Sequence, residues 1–171
     1  MPSFRDLAAT DDRPDGRDET PSERADRNWA EVLQELRVLQ TGTQILTGFL
    51  LALAFQPAFS DLNDAQRLLY LTLVVLAALT AIIALAPVAL HRVLFRRLAK
   101  PQVVAYGHAA LVTALVTVAF VLVGVVAFVF DVVVADAAAW VAAMALGGVV
   151  ALLWVVIPVV LRARLSVKDC R

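Results

Sequence analysis

Residues 68–90 read LLYLTLVVLAALTAIIALAPVAL, twenty-three positions in a row without a charge. At a rise of about 1.5 Å per residue, a helix of that length measures about 34 Å, enough to cross a hydrocarbon core of roughly 30 Å. A helix in a water-soluble bundle keeps a polar face, and this stretch has none. Two more stretches downstream share its character. Val103–Phe130 carries no charge other than one that His108 would bear when protonated, and Ala137–Leu161 carries none. Both are rich in Val, which favours strands. They lack period-two alternation, however, and an open sheet would leave unpaired backbone groups in lipid. Helices are expected.

Upstream, a fourth span is semi-polar. Trp29, Val32, Leu33, Leu36, Leu39 and Thr43 fall on one helical arc, and Arg27, Glu31, Gln34, Glu35 and Arg37 fall on the rest. The pattern predicts an amphipathic interfacial stretch with Trp29 as an anchor, starting near Arg27 or Asn28 with Asp26 or Asn28 as its cap. The stretch then runs into the bilayer. Gln56-Pro57 ends it, and Ser60-Asp61-Leu62-Asn63-Asp64 makes a turn with Asp64 as the next cap. Pro87 and Pro158 predict local bends. His91–Lys100 reads as a basic loop, and Asp131–Asp136 as a tight turn with Asp136 as cap.

These readings define an all-α membrane protein. It has four transmembrane helices, at about 41–58, 68–90, 103–130 and 137–161, and an N-terminal amphipathic extension of the first helix. The domain plan is a disordered cytoplasmic tail over 1–26, a transmembrane domain over 27–165 and a cytoplasmic tail over 166–171. Composition agrees: 61% of residues are hydrophobic, against about 45–50% in soluble domains. A chain of this size has no core large enough to hold the excess. The first 27 residues contain no apolar run and more acids than bases, so no cleavable signal peptide is expected.

Charge sets the orientation. The N-terminal segment, the loop near 91–102 and the C-terminal tail together hold fourteen of the fifteen basic residues. Only Arg67 falls on the other side, beside Asp61, Asp64, Asp131 and Asp136. The positive-inside rule then places both termini in the cytoplasm, in what the Arg-, Ala- and Val-rich composition suggests is a bacterial plasma membrane. Net charge is zero and there is no patterned basic surface, so nucleic acid is not an expected partner. The lipid bilayer is one partner. A second copy of the chain, or another membrane protein, is the other class left open.

Few residues offer chemistry. Gln34, Arg37, Thr41, Gln44 and Gly48, spaced 3, 4, 3 and 4, share one helical face that descends into the bilayer. Lipid penalises such side chains, so the stripe is expected to face other helices, as interhelical hydrogen bonding or as a polar path. Glu31 and Glu35 share a face at the cytoplasmic mouth. They read either as a solvated ion-paired surface, with Arg27 four residues before Glu31, or as a proton or cation relay. Ala139, Ala143, Gly147 and Ala151 form a small-residue packing seam on the last span. His91 and His108 lack metal-ligand spacing, and Cys170 is the only cysteine, so no metal, cofactor or disulfide is implied. No acid or base sits in the middle of any span, and no nucleophile motif or phosphate loop is present. The chain is not expected to be an enzyme.

Asn28-Trp29-Ala30-Glu31-Val32-Leu33-Gln34-Glu35-Leu36-Arg37-Val38-Leu39-Gln40-Thr41-Gly42-Thr43-Gln44-Ile45-Leu46, followed by Phe49-Leu50 and Phe55-Gln56-Pro57, resembles the opening motif of an uncharacterised actinobacterial family. Asp64-Ala65-Gln66-Arg67 and Ala86-Pro87-Val88-Ala89-Leu90-His91-Arg92 resemble it as well. The similarity covers about residues 28–165 and implies a four-helix integral membrane protein. Some members of that family carry the label sodium:proton antiporter. Two functions are therefore expected to compete: a membrane scaffold or regulatory subunit, and an oligomeric cation or proton transporter.

Overall fold

The computed structural model describes residues 20–94 and 100–168. The order of elements is α1 (Pro21–Leu53), a 3-10 turn (Pro57–Asp61), α2 (Asp64–Leu94), α3 (Lys100–Val133), α4 (Asp136–Ala151), a π turn (Leu152–Val156) and α5 (Ile157–Lys168). Four segments are long and apolar enough to cross a membrane: Asp26–Leu53, Asp64–Leu90, Val104–Val133 and Asp136–Arg164. The fourth includes α4, the π turn and most of α5.

α1 begins earlier than the expected Arg27 or Asn28. Residues 21–26, assigned to the tail by composition, are helical, and residues 1–19 lie outside the described part of the chain. The reason is a reciprocal cap. The backbone N–H of Thr20 donates to Glu23 Oε2 at 2.8 Å, and the Glu23 N–H donates to Thr20 Oγ1 at 3.3 Å. The Thr20 hydroxyl also donates to Glu23 Oε2 at 2.7 Å. Pro21, which has no N–H to leave unpaired, fills the first helical position. These bonds hold the Glu23 carboxyl below the ordinary carboxylate range, the Thr20 hydroxyl contributing most.

α2 opens in the same way, one residue before the expected cap. Asn63 Oδ1 accepts from the Gln66 N–H at 2.9 Å, and Gln66 Oε1 accepts from the Asn63 N–H at 3.1 Å. Asp64 is therefore the first helical residue, where its charge suits the positive end of the helix dipole. Asp136 is likewise inside its helix; Ala135 occupies the cap position and makes no side-chain bond. α2 continues through His91 and Arg92 to Leu94, and α3 starts at Lys100, so both ends of the expected His91–Lys100 loop are helical. Arg96 and Arg97 lie outside the described residues. Pro87 is accommodated inside α2 and is fully buried.

Pro158 leaves a different mark. Proline lacks the N–H for an i→i−4 bond, and its ring crowds the carbonyl of residue i−4. The five residues before Ile157 open into a π turn, and the Ile157 N–H reaches back to the Leu152 carbonyl. The expected bend is thus a local widening of the helix.

The described residues fall into two compact units, one within Met1–Ala52 and Leu76–Val118, the other within Leu53–Val75 and Ala119–Arg171. The core of the first is Val32 and Leu36 of α1, Ala84 of α2, and Leu111 and Ala114 of α3, with Leu39, Ile83 and Leu115 packed around them. Large side chains meet small ones, which brings the helices close. At Gly107 a Cβ would lie 3.0 Å from the Trp29 ring and 3.1 Å from Val32 Cγ1. Trp29, expected as an interfacial anchor, packs on α3 at a position that has no side chain.

The second unit is organised around Tyr70, which is buried. Phe59 of the 3-10 turn meets its ring edge-on, with centroids 4.9 Å apart, and the Phe128 ring lies 6.0 Å away. The Tyr70 hydroxyl is hydrogen-bonded to the backbone of Ala54. One helical turn along, Leu73 fills the space over Gly124.

Candidate functional site

The residues singled out by sequence are positioned chiefly by α1. Its apolar arc turns inward as expected: Val32, Leu36 and Thr43 are buried, and Trp29, Leu33 and Leu39 are half-buried. The polar stripe therefore turns outward. Gln34, Arg37, Thr41, Gln44 and Gly48 are all exposed, and a Cβ at Gly48 would meet nothing within 4 Å. The expectation that the stripe faces other helices of the same chain is not met. The two patterns occupy opposite sides of one helix, so only one of them can pack on Ala84, Gly107 and Ala114.

Position along α1 separates these residues. Gln44 is nine residues from the end of the helix at Leu53, about 14 Å along its axis. Glu35 is nine residues further back along the same helix. Glu31 and Glu35 are both exposed, and Glu31 Oε1 accepts from Arg27 Nη1 at 3.2 Å. The expected i, i+4 pair thus forms. With both partners in contact with solvent, it is worth well under 1 kcal/mol by analogy with similar pairs, about 0.3–0.5.

The hydroxyls are satisfied within their own helices. Thr41 donates to the Arg37 carbonyl at 2.9 Å, Thr43 to Leu39 at 2.9 Å and Thr47 to Thr43 at 2.7 Å. Thr72, Thr80, Thr113 and Thr117 do the same on α2 and α3. This explains how Thr43 and Thr80 can be fully buried without a partner helix supplying an acceptor. A glutamine amide cannot satisfy itself in this way. Gln44 makes no hydrogen bond among the described residues and is the one polar side chain between Thr41 and Leu53 left with that need.

The small-residue seam of the fourth span is covered at one end only. Ala139 is buried, Ala143 and Gly147 are half-buried, and Ala151 is exposed. No atom approaches within 4 Å of a Cβ placed on Gly147 or Gly148. From Ala151 to Arg164 every residue is exposed, including Trp154 and Val159. Among the described residues no three His, Cys, Asp or Glu side chains come together. His108 is exposed on α3, and Cys170 lies outside the described residues.

An all-α chain with four helices fit to cross a membrane, a polar stripe on the outer side of the first and a fourth left exposed over its second half is the class that the fold defines. The chain belongs to a family of unknown function, DUF6328, whose model matches residues 18–158. No curated protein and no solved structure matches it. The matched region starts beside Thr20 and Glu23 and takes in the whole of α1 through α4.

Proposed function

We propose that this chain is a multi-pass protein of a bacterial plasma membrane, with both termini cytoplasmic, that acts as a scaffold or regulatory membrane subunit through lateral helix contacts. The observation that carries this reading is the fourth span, exposed on all sides from Ala151 to Arg164. A helix that its own chain does not cover offers its Gly147–Ala151 seam and its large apolar side chains to another helix. No acid or base sits at mid-depth in any span, which favours contact over chemistry, and the chain is read as a non-enzyme.

Sodium:proton antiport, the label carried by some members of the actinobacterial family that the chain resembles, is the second reading. Its support is the outward stripe, which would line a path if copies of the chain surrounded it. Against it, exchange requires an ionisable group that trades a proton for a cation at depth, and Glu31 and Glu35 lie at the edge.

Two experiments test the proposal. A photo-crosslinker placed in cells at Trp154 or Val159 is expected to trap another membrane protein reproducibly; capture of lipid alone at both positions overturns the scaffold reading. Full-length protein in liposomes with an internal pH dye, given sodium or potassium pulses between pH 6 and 9, is expected to show no response. A response lost in Glu35→Gln or Gln44→Ala would establish transport instead. For orientation, a membrane-impermeant maleimide should label Cys170 only after the membrane is permeabilised.

A further inference from the structure

We infer that Gln44 is a self-recognition site: two copies of the chain pair through the outward face of α1, with the Gln44 amides bonded to each other near the middle of the bilayer. The inference rests on α1 crossing the membrane, and not on the scaffold reading.

Three observations carry it. Gln44 is exposed, lies about 14 Å from the end of α1, which in a crossing helix is the middle of a core of roughly 30 Å, and makes no hydrogen bond among the described residues, while Thr41, Thr43 and Thr47 around it are satisfied by their own backbone. Hydrocarbon offers no partner for an amide, so the cost persists until another protein group meets it. The second observation is shape. Gly48 and Ala52 follow Gln44 at four-residue spacing, are exposed on the same face and leave open space, so a second helix can approach closely.

The third is symmetry. Copies inserted in one orientation are related by a two-fold axis along the membrane normal, which brings each residue near the axis opposite itself. A carboxylate or ammonium placed so would repel its twin. A primary amide is self-complementary: each N–H donates to the other's carbonyl oxygen, closing two hydrogen bonds. A partner of different sequence would need its own amide or hydroxyl at the same depth, whereas a second copy supplies one by construction.

The test uses the full chain in lipid nanodiscs or liposomes, with Cys170→Ser as background. Single-molecule photobleaching is expected to show two copies per particle at high protein-to-lipid ratio. Gln44→Leu should weaken the association about five- to tenfold, the loss of two interhelical bonds of ordinary strength, and Gly48→Leu should weaken it by steric exclusion. Oxidation should crosslink Ala52→Cys and Thr41→Cys but not Phe49→Cys, which sits well off this face. Membrane-embedded monomers at every ratio overturn the inference. So do dimers that crosslink through Trp154→Cys and not Ala52→Cys, or dimers that Gln44→Leu leaves unchanged. The crosslinks decide the matter if Gln44→Leu fails to accumulate. Release of the wild-type chain from membranes by alkaline carbonate would instead overturn the reading that α1 crosses the bilayer.

Discussion

Replacing Gly124 by alanine should destabilise the chain through one identifiable side chain. A Cβ at residue 124 would stand 2.5 Å from Leu73 Cδ2, with Leu73 Cγ at 3.6 Å and Cδ1 at 3.8 Å. Carbon atoms rest at about 3.5–4.0 Å, so that methyl must retreat by about 1 Å. Leu73 is only 3% exposed, so little free space surrounds it. Forcing an extra methyl into such a site costs about 1–3 kcal/mol. Alanine in place of glycine in a helix interior returns about 0.8–1.0 kcal/mol. The net expectation is a loss of up to about 2 kcal/mol. The sharper expectation is for the pair. Leu73→Ala removes the obstruction and leaves a void that the new methyl partly fills. The double variant should therefore be more stable than Leu73→Ala alone, with a coupling of about 1–3 kcal/mol. Detergent-solubilised wild type, both single variants and the double variant would be unfolded by SDS titration and followed by circular dichroism. If Gly124→Ala stabilises by the propensity gain alone and the two effects add within about 0.5 kcal/mol, Leu73 does not pack on Gly124 and the reasoning fails.

Three further outcomes follow from the local chemistry. Thr20→Ala removes one half of the cap on α1 and should cost about 1 kcal/mol, confined to the first turn, which faster amide exchange at Glu23 and Arg24 would report. The same turn should loosen in acid. The Glu23 carboxyl is held below its ordinary value of 4.5 in the helix, so its contribution is present above that value and is lost as pH falls through the lowered one. Amide protection at Glu23 and Arg24, measured against the intrinsic exchange rate at each pH, that falls on acidification in the wild type and not in Thr20→Ala would confirm it. Pro158→Ala restores an N–H and should collapse the π turn into regular helix, moving the Ile157 N–H from the Leu152 carbonyl to that of Leu153. Amide chemical shifts over 152–157 that stay unchanged would refute that account.

Three of the helices long and apolar enough to cross a membrane were legible because a hydrocarbon core demands a length and a composition together, and residues 68–90 meet both. The inward arc of α1 was also legible: Val32, Leu36, Leu39 and Thr43 recur at helical spacing and pack as that spacing requires. The direction of the stripe was not. Lipid's penalty on Gln44 and Arg37 argued for turning them inward, while the apolar arc argued the opposite. What decides is the receiving surface, and Ala84, Gly107 and Ala114 become a groove for Val32, Leu36 and Trp29 only once α2 and α3 are side by side. The start of α1 was readable but outweighed. Thr20-Pro21-Ser22-Glu23 has the spacing of a reciprocal cap with proline at the first helical position, and the charge-dense surroundings masked it. The cap shift from Asp64 to Asn63 has the same origin: Asn63 and Gln66 stand three apart and satisfy each other, while an acid just inside a helix looks much like one at its edge.

The outward face of α1 and the exposed half of the fourth helix differ in the kind of selectivity they can supply. The bare half of the fourth span carries Leu, Val, Ile and Trp side chains and almost no hydrogen-bonding groups, so it can discriminate partners only by fit. Lipid competes with any helix there on nearly equal terms, because acyl chains are as apolar as Leu. The face of α1 carries an amide whose alternative in lipid is to remain unsatisfied, so lipid competes poorly. Association through α1 should therefore be the tighter and more specific of the two contacts. Association through the fourth span should depend on a partner shaped to Gly147 and Ala151. A two-fold pair joined at Gln44 would present two copies of that second surface, so one weak lateral contact becomes two on a single particle. For a chain read as a membrane scaffold, paired weak contacts give a physical route to selectivity.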